Sequence, residues 1–231
     1  MKNNRLSLLL AIFTAITFAQ VSPTKYIKSI SKESLKTNLY IIASNEMQGR
    51  DTGSKGQKKA GEYLISQYLK AEISFPDGAS DYYQRIPASY LNARRNENLP
   101  DSENIWAFIK GTEKPEEVLV ISAHYDHIGI KYGEINYGAD DDGSGCAAVM
   151  NLAAAFAEAK RQGVVLKRSI LFLLFTGEEK GLLGSTYFTE NAPIPMEQTV
   201  ANLNMDMIGR VDTVSRKDNR YVYVIGSDKM S

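Results

Sequence analysis

Four short stretches of this sequence gather side chains that can ligate a cation or carry a proton. Residues 122–127 read Ser-Ala-His-Tyr-Asp-His and contain His124, Asp126 and His127. Residues 138–145 carry Asp140, Asp141 and Asp142 just before a Gly-Ser-Gly; residues 175–181 carry Glu178 and Glu179; residues 202–210 carry Asp206. An acidic pair in a loop is ordinarily solvated surface, so no one cluster means much alone. Brought to one place, the carboxylates would repel each other and be costly to desolvate. A divalent cation removes that conflict. Imidazole with carboxylates is a ligand set that suits zinc, and also manganese or cobalt. The single cysteine, Cys146, excludes a disulfide framework and a cysteine-rich zinc module.

The elements that must position these clusters are short and apolar. Residues 104–110, 117–123 and 169–176 are bounded by turn residues, and the last two are continuously apolar, as strands buried on both faces are. Residues 144–161 between them are alanine-rich at helical spacing, with Ser144 near the start. Two more strands are expected at 200–204 and 221–225. Upstream, helices are expected over 26–43 and 61–70, a polar glycine-bearing loop over 45–56, and no regular period over 76–103. Buried strands alternating with helices predict an α/β fold, a three-layer α/β/α sandwich around a mixed, mostly parallel sheet. In such folds ligands gather at the C-terminal ends of the strands, which is where all four clusters fall.

Composition sets few further limits. The chain has 231 residues, 43% hydrophobic and 23% charged, enough for one sizeable core, and no internal repeat divides it. Lys plus Arg equals Asp plus Glu at 27 each, so no overall field points to nucleic acid or to an anionic membrane. Residues 1–19 read as a signal peptide: Lys2 and Arg5 precede an apolar stretch from Leu6 to Phe18, and cleavage is expected near Ala19. No cysteine follows that stretch to hold a lipid anchor. An exported domain over 20–231 is the expectation, with no stable membrane anchor; oligomeric state is not legible.

The order His-x-Asp, Asp-Asp-x-Ser-Gly, Glu-Glu and Met-Asp resembles the secreted zinc aminopeptidases of metallopeptidase family twenty-eight, which also holds glutamate carboxypeptidases and relatives of the glutaminyl cyclases. The stretch from Ser44 to Leu64 is similar to the one preceding that family's core, so the resemblance runs from about Leu35 onward. It implies two zinc ions and a peptide substrate. His124 and Asp206 would be terminal ligands of one zinc, Asp141 the bridge, and Glu179 a ligand of the other. Asp126 would orient the His124 ring, Glu178 would be the general base, and the peptide after Asp141 would be cis. Asp140 and Asp142 are left as turn or supporting groups, His127 as a loop or supporting residue, Cys146 as a small buried hydrophobe, Trp106 as core, and Lys180 without a role.

The sequence departs from the family in one respect. The second zinc of the family takes its last ligand from a histidine well downstream of Met-Asp, and this sequence has only His124 and His127. Either it is the N-terminal portion of such a domain or a substitute ligand is used. The expectation is one well-liganded zinc at His124, Asp141 and Asp206, a weak second position, and little peptidase activity. Three readings stay beside the aminopeptidase: a glutaminyl cyclase, a carboxypeptidase of the same fold, and an inactive exported binding module.

Overall fold

Two uninterrupted apolar runs form the centre of a sheet. β3 (Lys114–His124) and β6 (Arg168–Phe175) pair in parallel, with Ile121 opposite Phe172 and His124 opposite Phe175. β7 (Thr199–Asn204) joins the other side of β3 in parallel, while β2 (Ser102–Ile109) runs antiparallel to β6 and β1 (Tyr83–Ile86) antiparallel to β2. The order is β1-β2-β6-β3-β7, a mixed sheet. A separate hairpin pairs β4 (Ile130–Lys131) with β5 (Glu134–Ile135). The computed structural model describes residues 23–95, 97–214 and 220–226; the expected signal peptide lies outside them.

Because side chains alternate across a strand, the sheet divides its apolar residues between two cores. Ile105 and Ala107 of β2, Ile121 and Ala123 of β3, and Ile170, Phe172 and Leu174 of β6 face one side. There they meet α2 (Lys32–Ile42), α3 (Lys55–Lys70) and α5 (Gly143–Arg161) through Ile42, Leu64, Tyr68, Val149 and Ala153. Trp106, Val118, Val120, Leu171 and Leu173 face the other side and pack on Phe188 of α6 (Leu183–Glu190). Helices on both faces give the three layers expected.

The elements differ from expectation where local signals compete. The helix read over 26–43 is broken: α1 (Thr24–Ile27) ends and α2 restarts at Ser31. The Ser31 hydroxyl accepts from the Ser34 N–H at 3.0 Å and the Ser34 hydroxyl from the Ser31 N–H at 3.2 Å, a reciprocal cap that fixes the new start. α3 begins at Lys55, inside the expected loop, because the Ser54 hydroxyl caps it. The stretch 76–103 holds β1 and α4 (Ala88–Arg94), both too short to show a period. Residues 221–225 form no strand, and Val222, Val224 and Ile225 lie exposed. Apolar alternation predicts a strand only where a neighbouring strand completes its hydrogen bonds. Among the described residues no helix is long and apolar enough to cross a membrane.

Candidate metal centre

The strand order β6-β3-β7 sets three of the four clusters side by side at one sheet edge, and α5 brings the fourth, since its first turn starts against the end of β3. His124 ends β3, its side chain only 3% exposed. Its Nδ1 donates to the main-chain carbonyl of Asp126 at 3.1 Å. A carbonyl can only accept, so the proton sits on Nδ1 and the lone pair of the neutral ring on Nε2. That Nε2 is buried without a hydrogen-bond partner. It lies 3.0 Å from Asp141 Oδ1 and 3.9 Å from both Asp206 Oδ1 and Glu178 Oε2. A buried nitrogen facing three carboxylates with no hydrogen bond to any of them is the arrangement a cation would complete.

Asp141 belongs to two such groups. Ligand atoms of His124, Asp141 and Asp206 lie within 4.8 Å of one another, and so do those of His127, Asp141 and Glu179. The peptide between Asp141 and Asp142 is cis. Asp142 caps α5, its carboxylate accepting from the N–H groups of Gly145 at 2.8 Å and His124 at 3.2 Å. A Cβ on Gly145 would strike that carboxylate, so glycine is required there. Burial pushes Asp142 up to about 8, against the pull of the His124 charge. For His124 burial works downward, but the hydrogen bond and charge of Asp126, with Asp142 and Glu178, outweigh it and lift the ring to about 10. Crowded carboxylates and a proton-retaining imidazole show how strongly the metal-free site seeks positive charge.

The carboxylate of Asp126 stands at ion-pair range of the His124 ring, its Oδ1 3.6 Å from Nδ1. It also accepts from the Thr52 hydroxyl at 3.0 Å and from the Glu178 N–H at 3.1 Å, tying the turn after β6 to the loop after β3. Glu178 projects from that turn, pushed upward chiefly by burial and further by Asp126, Asp206 and Glu179. The turn closes by a close approach at Gly184, where a Cβ would meet Thr176 O and Asn104 Oδ1. Below it Gln57, Ser102 and Thr176 form a buried chain of hydrogen bonds.

Several residues that hold the site together carried no signal in the sequence. Arg50 is fully buried, in the left-handed region with φ 52°, and donates to the carbonyls of Ile42, Tyr125, Tyr137 and Gly138 at 2.8 to 2.9 Å. It stitches three loops beneath the carboxylates. Asp140, read as a turn residue, accepts from the Gly209 N–H at 2.8 Å and the Arg210 guanidinium at 2.7 Å, and so fastens the loop that bears Asp206. His127 comes to 2.6 Å from Glu179. Lys180 turns away to Asp51 at 3.1 Å and Glu97 at 3.6 Å. Cys146 is buried, with its thiol against the His124 carbonyl, and burial pushes it well above the usual thiol range. Trp106 packs in the second core as expected.

The model of Peptidase family M28 matches residues 104–222. A probable leucine aminopeptidase of Trichophyton verrucosum is 36% identical over 199 residues, 85% of this chain and 50% of its own length. Among solved structures, a Zn-dependent exopeptidase from Parabacteroides distasonis superposes with a TM-score of 0.61 at 18% identity, over 78% of this chain and 62% of that one. A glutaminyl cyclase of Porphyromonas gingivalis gives a TM-score of 0.57 at 21% identity, over 78% and 60%. At these identities the structural likeness is one of fold. The chain spans between 21% and 50% of the length of curated relatives it matches.

Proposed function

Because the chain belongs to peptidase family M28, we propose that it is the metal-bearing part of a zinc exopeptidase that removes N-terminal residues from peptides. The observation that carries this reading is the convergence of His124 Nε2 with Asp141 and Asp206, ligand atoms within 4.8 Å, on a buried nitrogen that has no hydrogen-bond partner. An imidazole and two carboxylates, with a position left open, are the ligand count of a catalytic zinc. Bound there, zinc would activate water and polarise the scissile carbonyl.

The remaining work falls to the protein's own groups. Glu178, raised by burial, would take a proton from the attacking water and return it to the leaving amine. Asp126 holds the main chain of Glu178 in register with the loop that carries His124. Asp142 keeps the end of β3 against the first turn of α5, and so keeps Asp141 beside His124. The surplus of carboxylates also suits the ammonium of a free peptide N-terminus, which favours trimming from that end. Glu178→Ala should abolish hydrolysis of a leucine amide while zinc content, read by elemental analysis, stays near that of the wild type. Wild-type turnover in that variant would remove Glu178 from the mechanism.

A second reading is favoured by the likeness to the Porphyromonas gingivalis glutaminyl cyclase. It would join the amine of an N-terminal glutamine to that residue's own side chain with release of ammonia. Turnover of a glutaminyl peptide with ammonia release, and none of a leucine amide, would select it.

A further inference from the structure

Below the turn that carries Glu178, three buried polar side chains close a hydrogen-bonded ring that apolar packing would not require. They are Gln57 in the first turn of α3, Ser102 at the start of β2 and Thr176 just past β6. We propose that Gln57 is the positioning residue for Glu178, a role that rests on the reading above in which Glu178 is the base.

The hydrogens of the ring can be assigned one by one. The Gly53 N–H donates to Gln57 Oε1 at 2.5 Å. A main-chain N–H can only donate, so the amide oxygen faces Gly53 and the amide nitrogen faces Thr176. That nitrogen donates to the Thr176 hydroxyl at 2.5 Å, and the Ser102 hydroxyl donates to Gln57 Oε1 at 2.8 Å. With the Ser102 hydrogen used, the 2.6 Å contact between the two hydroxyls is a donation from Thr176 to Ser102. Each group passes one hydrogen to the next around a closed cycle. Apolar side chains could fill the same space, but a fully satisfied polar ring also fixes a single geometry.

Two arms lead from Gln57 to Glu178. One passes through the Thr176 hydroxyl and along the main chain past Gly177. The other passes through Gly53 to its neighbour Thr52, whose hydroxyl donates to Asp126 at 3.0 Å, and Asp126 accepts from the Glu178 N–H at 3.1 Å. One flat amide therefore ties the loop that holds Asp126 to the strand end that leads into Glu178. The task needs an acceptor and a donor on one side chain, which glutamine has and an ionised glutamate or a leucine lacks. Gln57 is itself placed by the start of α3. The Ser54 hydroxyl accepts from its N–H at 3.2 Å, and Gly56 passes so close that a Cβ there would strike the Met47 carbonyl.

The test compares Gln57→Leu, which cuts both arms, with Thr176→Val, which cuts one, and Thr176→Ser, which keeps the hydroxyl. In the metal-free full chain, amide hydrogen exchange at Gly53 and Glu178 should quicken roughly tenfold in Gln57→Leu, the effect of one lost hydrogen bond. Ile121 and Phe172 in the central strands should keep their protection. In the zinc-loaded chain, kcat is read on whichever substrate the wild type turns over, leucine amide or a glutaminyl peptide. It should fall roughly 100-fold in Gln57→Leu and roughly 10-fold in Thr176→Val, as for a displaced reacting group, with KM and zinc content near wild type. Thr176→Ser should restore it.

Unchanged exchange at Glu178 in Gln57→Leu overturns the proposal, as does an intact kcat or a loss carried by KM or zinc content. Exchange that quickens equally at Ile121 and Phe172 overturns it too, since Gln57 would then only hold the fold together. If Gln57→Leu does not fold, unchanged exchange at Glu178 and unchanged kcat in Thr176→Val overturn it instead. Wild-type turnover in Glu178→Ala would sink the reading on which the role rests, and would leave the exchange result standing.

Discussion

His124 and Asp206 would face the same ion, yet the molecule holds them by different means. His124 sits at the end of a central strand, beside Asp126 and above Arg50, both fully buried. Asp206 follows the edge strand β7, and its side chain is 41% exposed. On the first side the loops are fixed by buried polar groups that have no solvent to fall back on. On the second the residues being held are themselves exposed, Gly209 and Arg210 by the Asp140 carboxylate and the Ile208 N–H by the Ser144 hydroxyl at 3.1 Å. The difference teaches that placement and stability are coupled on one side of the centre and separable on the other. Mutations near His124 should cost folding and binding together, and mutations near Asp206 binding alone.

Arg50→Met is the sharpest way to break that contrast. It strands four carbonyls, two of them fully buried, and removes a buried charge, and should cost about 3–5 kcal/mol in urea unfolding. A loss under about 1 kcal/mol would show that the buried side is no better anchored than the other. Asp140→Ala tests the exposed side. Zinc affinity by calorimetry should fall about tenfold, as for a residue acting behind a ligand, with the urea midpoint little changed. A large loss of stability there would erase the distinction.

The metal-free protein should also reveal its buried side through pH. Asp142, lifted to about 8, binds its proton more tightly in the folded chain than in the unfolded one, and His124, lifted to about 10, does the same. Raised folded values mean stability present at low pH and lost as pH rises. The loss runs from the ordinary carboxylate range to about 8 for Asp142, and from about 6.5 to about 10 for His124. Chelator-treated protein should therefore melt lower at pH 9 than at pH 6, and zinc, which displaces those protons, should reverse the trend. The smallest effect belongs to Arg94→Ala. Its bridge to Glu190 at 2.8 Å is exposed, so about 0.2–1 kcal/mol is expected, with zinc binding untouched.

What the sequence disclosed followed from how strongly each signal is tied to burial. β3, β6 and α5 are readable because long apolar runs have few alternatives, and the strand-end rule then collects the four clusters in one place; the choice of His124, Asp141, Glu178, Glu179 and Asp206 within them rests on the family resemblance. β1 was hidden because four residues show no period. Residues 221–225 misled because a strand is made by its neighbours as much as by its own side chains. Within the site, sequence spacing sets where a side chain starts but not where it points. His127, three residues past His124, reads as a loop or supporting residue, and its ring turns to Glu179. Arg50 was invisible for a related reason, since a lone arginine in a polar loop looks solvated until the carbonyls that surround it are known.

Arg50 also bears on the order of events in the life of the chain. Its guanidinium is within electrostatic reach of Asp126, Asp142 and Asp141. A permanent resident cation of this kind tempers the anionic cluster while the polypeptide is still empty. Maturation can then proceed as folding first and ion capture afterwards, with the ion exchanged later without dismantling its cradle.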